Sequence, residues 1–193
     1  MSNQDCGEKG SAGVARAEHT ALELFQMASL LVGDQEQALR LVEECVATSD
    51  LDPCAAEPGA EDRVRDRLTQ SALSWMRERA PESFAVDETP ATLGGCVETD
   101  DLEAAGISSA KLAEMLSGEQ RQKLRNWLDD LPMAQRAVFV LRAVLGRNNE
   151  ATAEELRRAG GSAGWTADQV SLLFRSALCS LANQLAHAGA ATA

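Results

Sequence analysis

Apolar residues recur at helical spacing along most of this 193-residue chain, and the runs end at glycine or proline. In "HTALELFQMASLLVGD" the apolar residues Leu22, Phe25, Leu30 and Leu31 precede Gly33. A period near 3.6 residues predicts amphipathic helices that bury one face each. Only 4% of residues are aromatic although 45% are hydrophobic, a balance that also favours helices. The sequence therefore predicts an all-α protein.

Polar residues that can cap helix N-termini stand before several of these runs. Three pairs at the spacing of a capping box are Asp34 with Gln37, Thr152 with Glu155, and Thr166 with Gln169. A short helix "AEELRRA", the Gly160-Gly161 pair and a longer helix after Thr166 are the ingredients of a helix-turn-helix. Any small helical bundle can contain the same pieces, so the spacing alone does not assign a function.

The charge is divided unevenly along the chain. Residues 81–118 hold eight acids and one base (net −7), whereas residues 119–193 hold seven acids and nine bases (net +2). The acidic stretch contains Pro81, Pro90 and a glycine pair, which are typical of a linker. Such a linker could fold back over the net-positive module and hold off DNA, and deleting residues 86–104 would then raise DNA affinity.

These patterns predict the following organisation. The chain has a disordered N-terminus (1–16), a helical module (17–80), an acidic linker with a short helix (81–118), a second helical module (119–187) and a tail (188–193). Two small helical modules joined by an acidic linker are therefore expected.

Cysteine and histidine usage argues against disulfide frameworks and metal sites. The five cysteines are odd in number and never form a C-x-x-C pair, so all are predicted to be free thiols: Cys6, Cys45, Cys54, Cys96 and Cys179. His19 and His187 lack acidic or cysteine partners at ligand spacing, so no metal is predicted.

No pattern of an enzyme or a membrane protein is present in the sequence. It has no glycine-rich phosphate loop and no nucleophile with a nearby base, so we predict no catalysis, no cofactor and no small-molecule substrate. The polar start "MSNQDCGEKG" lacks the pattern of a secretory signal, and no apolar run reaches the roughly 20 residues that span a bilayer. A cytoplasmic location without membrane contact is predicted.

A resemblance emerges in the second module. "WLDDLPMAQRAVFVLRAVLG" resembles the start of the fourth conserved region of extracytoplasmic-function (ECF) bacterial sigma factors, with Arg136 at the family's basic position. "ATAEELRRA" is similar to the family's support helix. The apolar positions of its recognition helix are matched by Val170, Phe174, Ala177 and Leu181.

The first module carries a second resemblance to the same family. "LVGDQEQALRLVEECV" is similar to part of sigma region two, with Ala38, Leu41, Val42 and Glu44 at matching positions. Arg40 stands where the family has an acid and Glu43 where it has a glutamine, at positions implicated in holding polymerase. The two segments occur in the family's order.

The resemblance implies a transcription regulator that acts in initiation through core RNA polymerase and promoter DNA, with a region-four-like helix-turn-helix. The candidate DNA-binding residues are Arg147, Arg157, Arg158, Thr166, Gln169, Ser171 and Arg175. The candidate residues for binding polymerase or another partner are Arg40, Glu43, Glu44, Leu172 and Leu173.

Two alternatives remain, because the last helix is poor in bases. Arg175 is the single cation between Thr166 and Leu185, and Leu172 lies off the apolar face. These features also fit a sigma mimic that binds an anti-sigma factor or another protein and no longer reads DNA. A helical interaction protein with an unrelated partner is the third hypothesis.

Overall fold

The structure, a computed structural model, describes residues 7–49, 59–85, 96–160 and 164–190. It is all-α, and these residues contain eight α-helices and no strand. The helices are α1 (Gly7–Val32), α2 (Gln35–Ala47), α3 (Ala60–Arg79), α4 (Ser109–Ser117), α5 (Arg121–Asp130), α6 (Met133–Phe139), α7 (Asn149–Arg158) and α8 (Ala167–Ala190). Short 3₁₀ turns lie at Pro81–Phe84 and Glu103–Ala105, and one π-helical turn at Val140–Val144 extends α6. The predicted all-α class is confirmed.

The chain divides into two compact units, Met1–Leu73 and Ser74–Ala193, with the boundary inside α3. The described residues of the predicted linker, up to residue 118, belong to the second unit. They include helix α4, and the side chains of Val97 and Ile107 are buried. Residues 86–95 of the predicted linker lie outside the described residues.

Unit one is built from α1, α2 and the first part of α3. Gly33 has a φ of 74°, which an L side chain rarely adopts, and it ends α1 as predicted. Asp34 then caps α2, because its carboxylate accepts hydrogen bonds from the backbone amides of Glu36 and Gln37. The apolar stripes buried in this unit are Leu24, Met27, Ala28, Leu31, Val32, Ala38, Leu41, Val42, Cys45, Val64, Leu68, Ala72 and Leu73.

Helix α1 begins at Gly7, within residues 1–16 that were predicted to be disordered. Ala12, Ala15 and Ala17 favour a helix in this stretch, whereas Gly7, Gly10 and Gly13 disfavour it. Residues 1–6 lie outside the described part of the chain.

Unit two has an aromatic centre that joins three helices. The rings of Trp127 on α5 and Phe139 on α6 meet edge to face at 4.8 Å, and Phe139 lies 5.9 Å from Phe174 on α8. The indole of Trp127 also donates a hydrogen bond to Ser180 of α8 at 3.0 Å. Phe139 is fully buried, so this cluster fixes the positions of α5, α6 and α8.

Two expectations about helix starts have different outcomes. The Thr166–Gln169 capping box is confirmed: the Thr166 amide donates to the Gln169 side chain at 3.1 Å, and the Gln169 amide donates to the Thr166 hydroxyl at 3.3 Å. The Thr152–Glu155 capping box is wrong. Helix α7 is already capped by Asn148, whose side chain accepts from the Ala151 amide, so Thr152 and Glu155 lie buried inside the helix.

Candidate nucleic-acid interface

Helices α7 and α8 form the short and long members of the predicted helix pair. Gly160, just after α7, has a φ of 84°, and a Cβ at this position would approach the Arg77 guanidinium to 3.0 Å. Both constraints favour glycine at the turn. On the inner side of α8, Val170, Phe174, Ala177 and Leu181 are all buried, so the residues that carry the resemblance are core residues here.

The outer side of α8 is covered by part of the chain's own acidic stretch. We call residues 96–107 the acidic segment, since it contains Glu98, Asp100, Asp101 and Glu103 and no base. Its 3₁₀ turn contacts α8, and Val97 and Ile107 at its two ends are 4% and 1% exposed. The acidic segment is therefore a packed part of unit two.

Three successive turns of α8 each contact the acidic segment. Cys179 forms a disulfide with Cys96, with Cα atoms 5.7 Å apart. Arg175 donates to the backbone carbonyl of Glu98 at 3.5 Å, and the Ser171 side chain faces the Asp100 carboxylate, whose pKa it lowers. Residues four apart on a helix share a face and lie about 6 Å apart along its axis, a distance that two residues of non-helical chain can span. The acidic segment thus runs antiparallel to α8, in register with its turns.

The disulfide corrects the expectation that all five cysteines are thiols. Cys96 and Cys179 are 83 residues apart in sequence, and the packing of the acidic segment on α8 brings them together. Cys45 is a buried free thiol, and burial raises its pKa. Cys6 and Cys54 lie outside the described residues.

Asp100 makes most of the polar contacts between the acidic segment and its neighbours. Its carboxylate accepts a hydrogen bond from Asn149, the first residue of α7, and lies 3.4 Å from a guanidinium nitrogen of Arg142. Arg142 also donates to the Asp100 backbone carbonyl at 2.9 Å and stacks over the Phe174 ring at 4.8 Å. The hydrogen bond from Asn149, with smaller contributions from Ser171 and Arg142, holds the pKa of Asp100 below its ordinary value against the opposing effect of burial.

The four candidate DNA-binding arginines all bond to groups of the same unit. Arg147 pairs with the buried carboxylate of Glu155 at 3.0 Å. Arg157 bonds to Glu154 at 2.8 Å and to the Trp165 carbonyl at 3.0 Å, and Arg158 lies 3.4 Å from Glu154. The Arg157 hydrogen bond lowers the pKa of Glu154. Arg175 donates to the acidic segment, as described above.

The remaining candidates for DNA contact lie at the start of α8. Thr166 and Gln169 are engaged in the capping box, and the Ser171 side chain faces Asp100. The structure therefore brings the seven candidate DNA-binding residues onto α7, α8 and the chain around them. Asp100, Asn149 and Arg142 lie beside these candidates and bond to one another. The sequence did not predict them as site residues, because no local pattern connects them.

The candidate partner-binding residues fall into two sets. Arg40, Glu43 and Glu44 are exposed on α2 in unit one, where Arg40 pairs with Glu36. Two leucines of α8 in unit two, Leu172 and Leu173, are half-buried. The outward side of α2 also presents Leu39 and Val46, which are 48% and 41% exposed. Large apolar side chains this exposed are few among the described residues, and two of them lie on this helix.

The Arg136 side chain, in the last turn of α6, bonds to the preceding helix α5. It is 6% exposed, donates to the Asp129 carbonyl at 2.9 Å and lies 3.4 Å from the Asp129 carboxylate. Burial lowers its pKa, while the charges of Asp129 and Asp130 act in the opposite direction. It therefore ties the last turn of α5 to α6.

Neither models of known protein families nor searches of curated proteins and solved structures gave a match to this chain. Within the described ranges, no helix has the combination of length and apolar composition that a bilayer span needs. Among the same residues, histidine, cysteine and acidic side chains form no group of three that could hold a metal ion.

Proposed function

We propose that this chain is a sigma-factor-like transcription regulator that acts in initiation through RNA polymerase and promoter DNA. The observation that carries the proposal is the structure of unit two. The residues that resemble sigma region four form the inner faces of α5 to α8, and the short helix, glycine turn and long helix follow in the expected order. The seven candidate DNA-binding residues lie around the outer side of this helix pair.

The α2 surface supports the polymerase part of the proposal. Leu39, Glu43 and Val46 lie three to four residues apart and so share one helix face, and all three are exposed. Apolar side chains bordered by charges suit a protein partner. Arg40 and Glu43 replace the residues expected at these positions, so the charge pattern of the partner surface differs from the family's.

The test is co-elution of the reduced, full-length protein with purified core RNA polymerase. We expect a complex that Leu39→Glu abolishes, because a carboxylate cannot enter an apolar contact without a large desolvation penalty. Leu22→Glu on α1 is the matched control, since Leu22 is 52% exposed and outside the α2 face. Absence of a complex with the unaltered chain would contradict the proposal.

A second candidate function is a sigma mimic that binds an anti-sigma factor or another protein. The pairing of Arg147, Arg157 and Arg158 with acids favours it, since each pair reduces the positive potential available to phosphates. Salt separates the two functions. DNA binding through arginines weakens steeply with ionic strength, whereas an apolar protein interface is nearly indifferent to it.

A further inference from the structure

We propose that the Cys96–Cys179 disulfide is a redox lock that keeps the acidic segment on the outer face of α8, where DNA phosphates would otherwise bind. Reduction by a dithiol then lets nucleic acid displace the acidic segment. This inference rests on the proposed function, because it concerns the same face of α8.

The contacts of the acidic segment resemble those that a DNA backbone would make. A phosphate is recognised by arginine guanidinium groups, and here Arg142 pairs with the Asp100 carboxylate while Arg175 donates to the Glu98 carbonyl. Arg175 is a candidate DNA-binding residue that bonds to the acidic segment, and the Ser171 side chain faces Asp100. The acidic segment and a DNA strand therefore compete for the same face of α8.

The disulfide decides whether this competition can occur. While the sulfur–sulfur bond is intact, Cys96 cannot leave the third of the three contacting turns of α8. Once it is broken, the acidic segment is held by non-covalent contacts alone: the Asp100 bonds, the Arg175 bond and the buried side chains of Val97 and Ile107. A polyanion that offers several phosphates can replace the charged contacts among these.

The chemistry is thiol–disulfide exchange. The first thiolate of a dithiol reductant attacks the sulfur of Cys96, which is the more exposed cysteine, and the Cys179 sulfur leaves as a thiolate that takes up a proton. The second thiolate of the reductant then displaces Cys96, which also leaves as a thiolate and is protonated. The dithiol gives two electrons and becomes a disulfide, and the protein gains two thiols.

The experiment uses the full-length protein in oxidised and reduced forms, with Cys96→Ser as a permanently open variant. Cys45→Ser is the matched control, because Cys45 is a cysteine outside the disulfide. Hydrogen exchange is followed at Ala104, Ala105, Gly106 and Ile107, whose amides are hydrogen-bonded within the acidic segment. Binding to a short duplex DNA of random sequence is measured at low salt by fluorescence anisotropy.

We expect reduction to speed exchange of these amides and to tighten DNA binding by about tenfold, within the usual range for coupled sites. Cys96→Ser should show both effects without reductant, and Cys45→Ser should respond to reductant as the unaltered chain does. If Cys96→Ser fails to fold, the reduced unaltered chain gives the same comparison.

The two proposals fail in different ways. Exchange that is the same in oxidised and reduced protein overturns the redox lock, whatever the DNA result. Faster exchange without DNA binding in any form supports the release of the acidic segment and contradicts the DNA-reading function. DNA binding of equal strength in both forms overturns the lock and leaves the proposed function intact.

Discussion

Helices α2 and α8 are both amphipathic and both carry candidate partner-binding residues, yet their outer faces differ. The outer face of α2 is open to solvent and displays Leu39 and Val46. The outer face of α8 carries the acidic segment, bonded at Arg175 and Cys179. One outer face is therefore exposed to solvent, whereas the other is covered by another part of the chain.

The largest effect on stability is expected when a residue on the inner face of α8 is truncated, compared with a residue on the exposed face of α2. Phe174→Ala should lower the free energy of unfolding by about 3–5 kcal/mol, because it leaves a cavity beside Phe139 and removes the ring under Arg142. Leu39→Ala should change it by less than about 0.5 kcal/mol, since Leu39 is exposed. Urea unfolding followed by circular dichroism measures both, and similar losses in the two variants would show that α2 is not open.

The next largest effect on stability is expected from a charged residue that contacts the outer face of α8, compared with one on the outer face of α2. Asp100→Ala should cost about 1–3 kcal/mol, because Asn149 and Arg142 lose an acceptor that is partly withdrawn from water. Glu43→Ala on α2 is the matched control and should be close to neutral. A neutral Asp100→Ala would mean that the acidic segment is not held on α8 by this carboxylate.

The same contact has a pH dependence with a defined sign. The pKa of Asp100 lies below its ordinary value of 3.8, so its stabilising contribution is complete above that pH and disappears as the pH falls through the folded-state pKa. The unaltered chain and Asp100→Asn should therefore differ less in their free energy of unfolding below pH 3.8 than above it. The groups that face the Asp100 carboxylate are Arg142, Asn149 and Ser171. If the two proteins differed more in their free energy of unfolding at low pH, this explanation would be contradicted.

The N-caps of α2 and α7 should be alike despite their different surroundings. Asp34 and Asn148 each accept backbone amide hydrogen bonds at an N-terminus, so replacing either with alanine should cost about 1 kcal/mol. Thermal unfolding of the two single variants makes the comparison. Equal losses of stability would show that the two caps are equivalent, so that α2 and α8 differ in their outer faces alone. A much larger loss at Asn148 would show that this cap also supports the acidic segment through Asn149.

The smallest stability effect is expected at an exposed arginine. Arg158→Ala removes a pair with Glu154 that is exposed on both sides, so the free energy of unfolding should not change measurably. In the reduced protein, however, it should lower the salt slope of DNA binding by about 1, as for the loss of one phosphate contact. Arg40→Ala on α2 is the control and should leave that slope unchanged. A slope unaffected by Arg158→Ala would remove α7 from the DNA interface.

Local signals in the sequence predicted the helices well. The stop at Gly33 and the caps at Asp34 and Thr166 depend on residues within one turn of each other, and the structure confirms them. The Thr152–Glu155 box failed because a second cap, Asn148, lies one turn earlier and offers the same chemistry. Periodicity does not decide between two adjacent caps.

The packing of the acidic segment on α8 could be predicted only in part. The charge of the acidic segment suggested contact with the net-positive module, but Val97 and Ile107 follow no helical period and gave no sign of burial. Cys96 pairs with Cys179 only through tertiary packing across 83 residues of sequence. The sigma-like role itself stays a prediction drawn from resemblance, supported by the arrangement of α5 to α8.

The most direct test of the sigma-like role is run-off transcription with core RNA polymerase on fragments of genomic DNA from the organism that encodes the chain. The added protein is supplied reduced in one reaction and oxidised in the other, and the RNA starts are sequenced. We predict new start sites that share an upstream element with the reduced protein and markedly fewer with the oxidised protein. No new start sites in either reaction, although polymerase and the chain co-elute, would contradict promoter reading and leave the sigma mimic as the explanation.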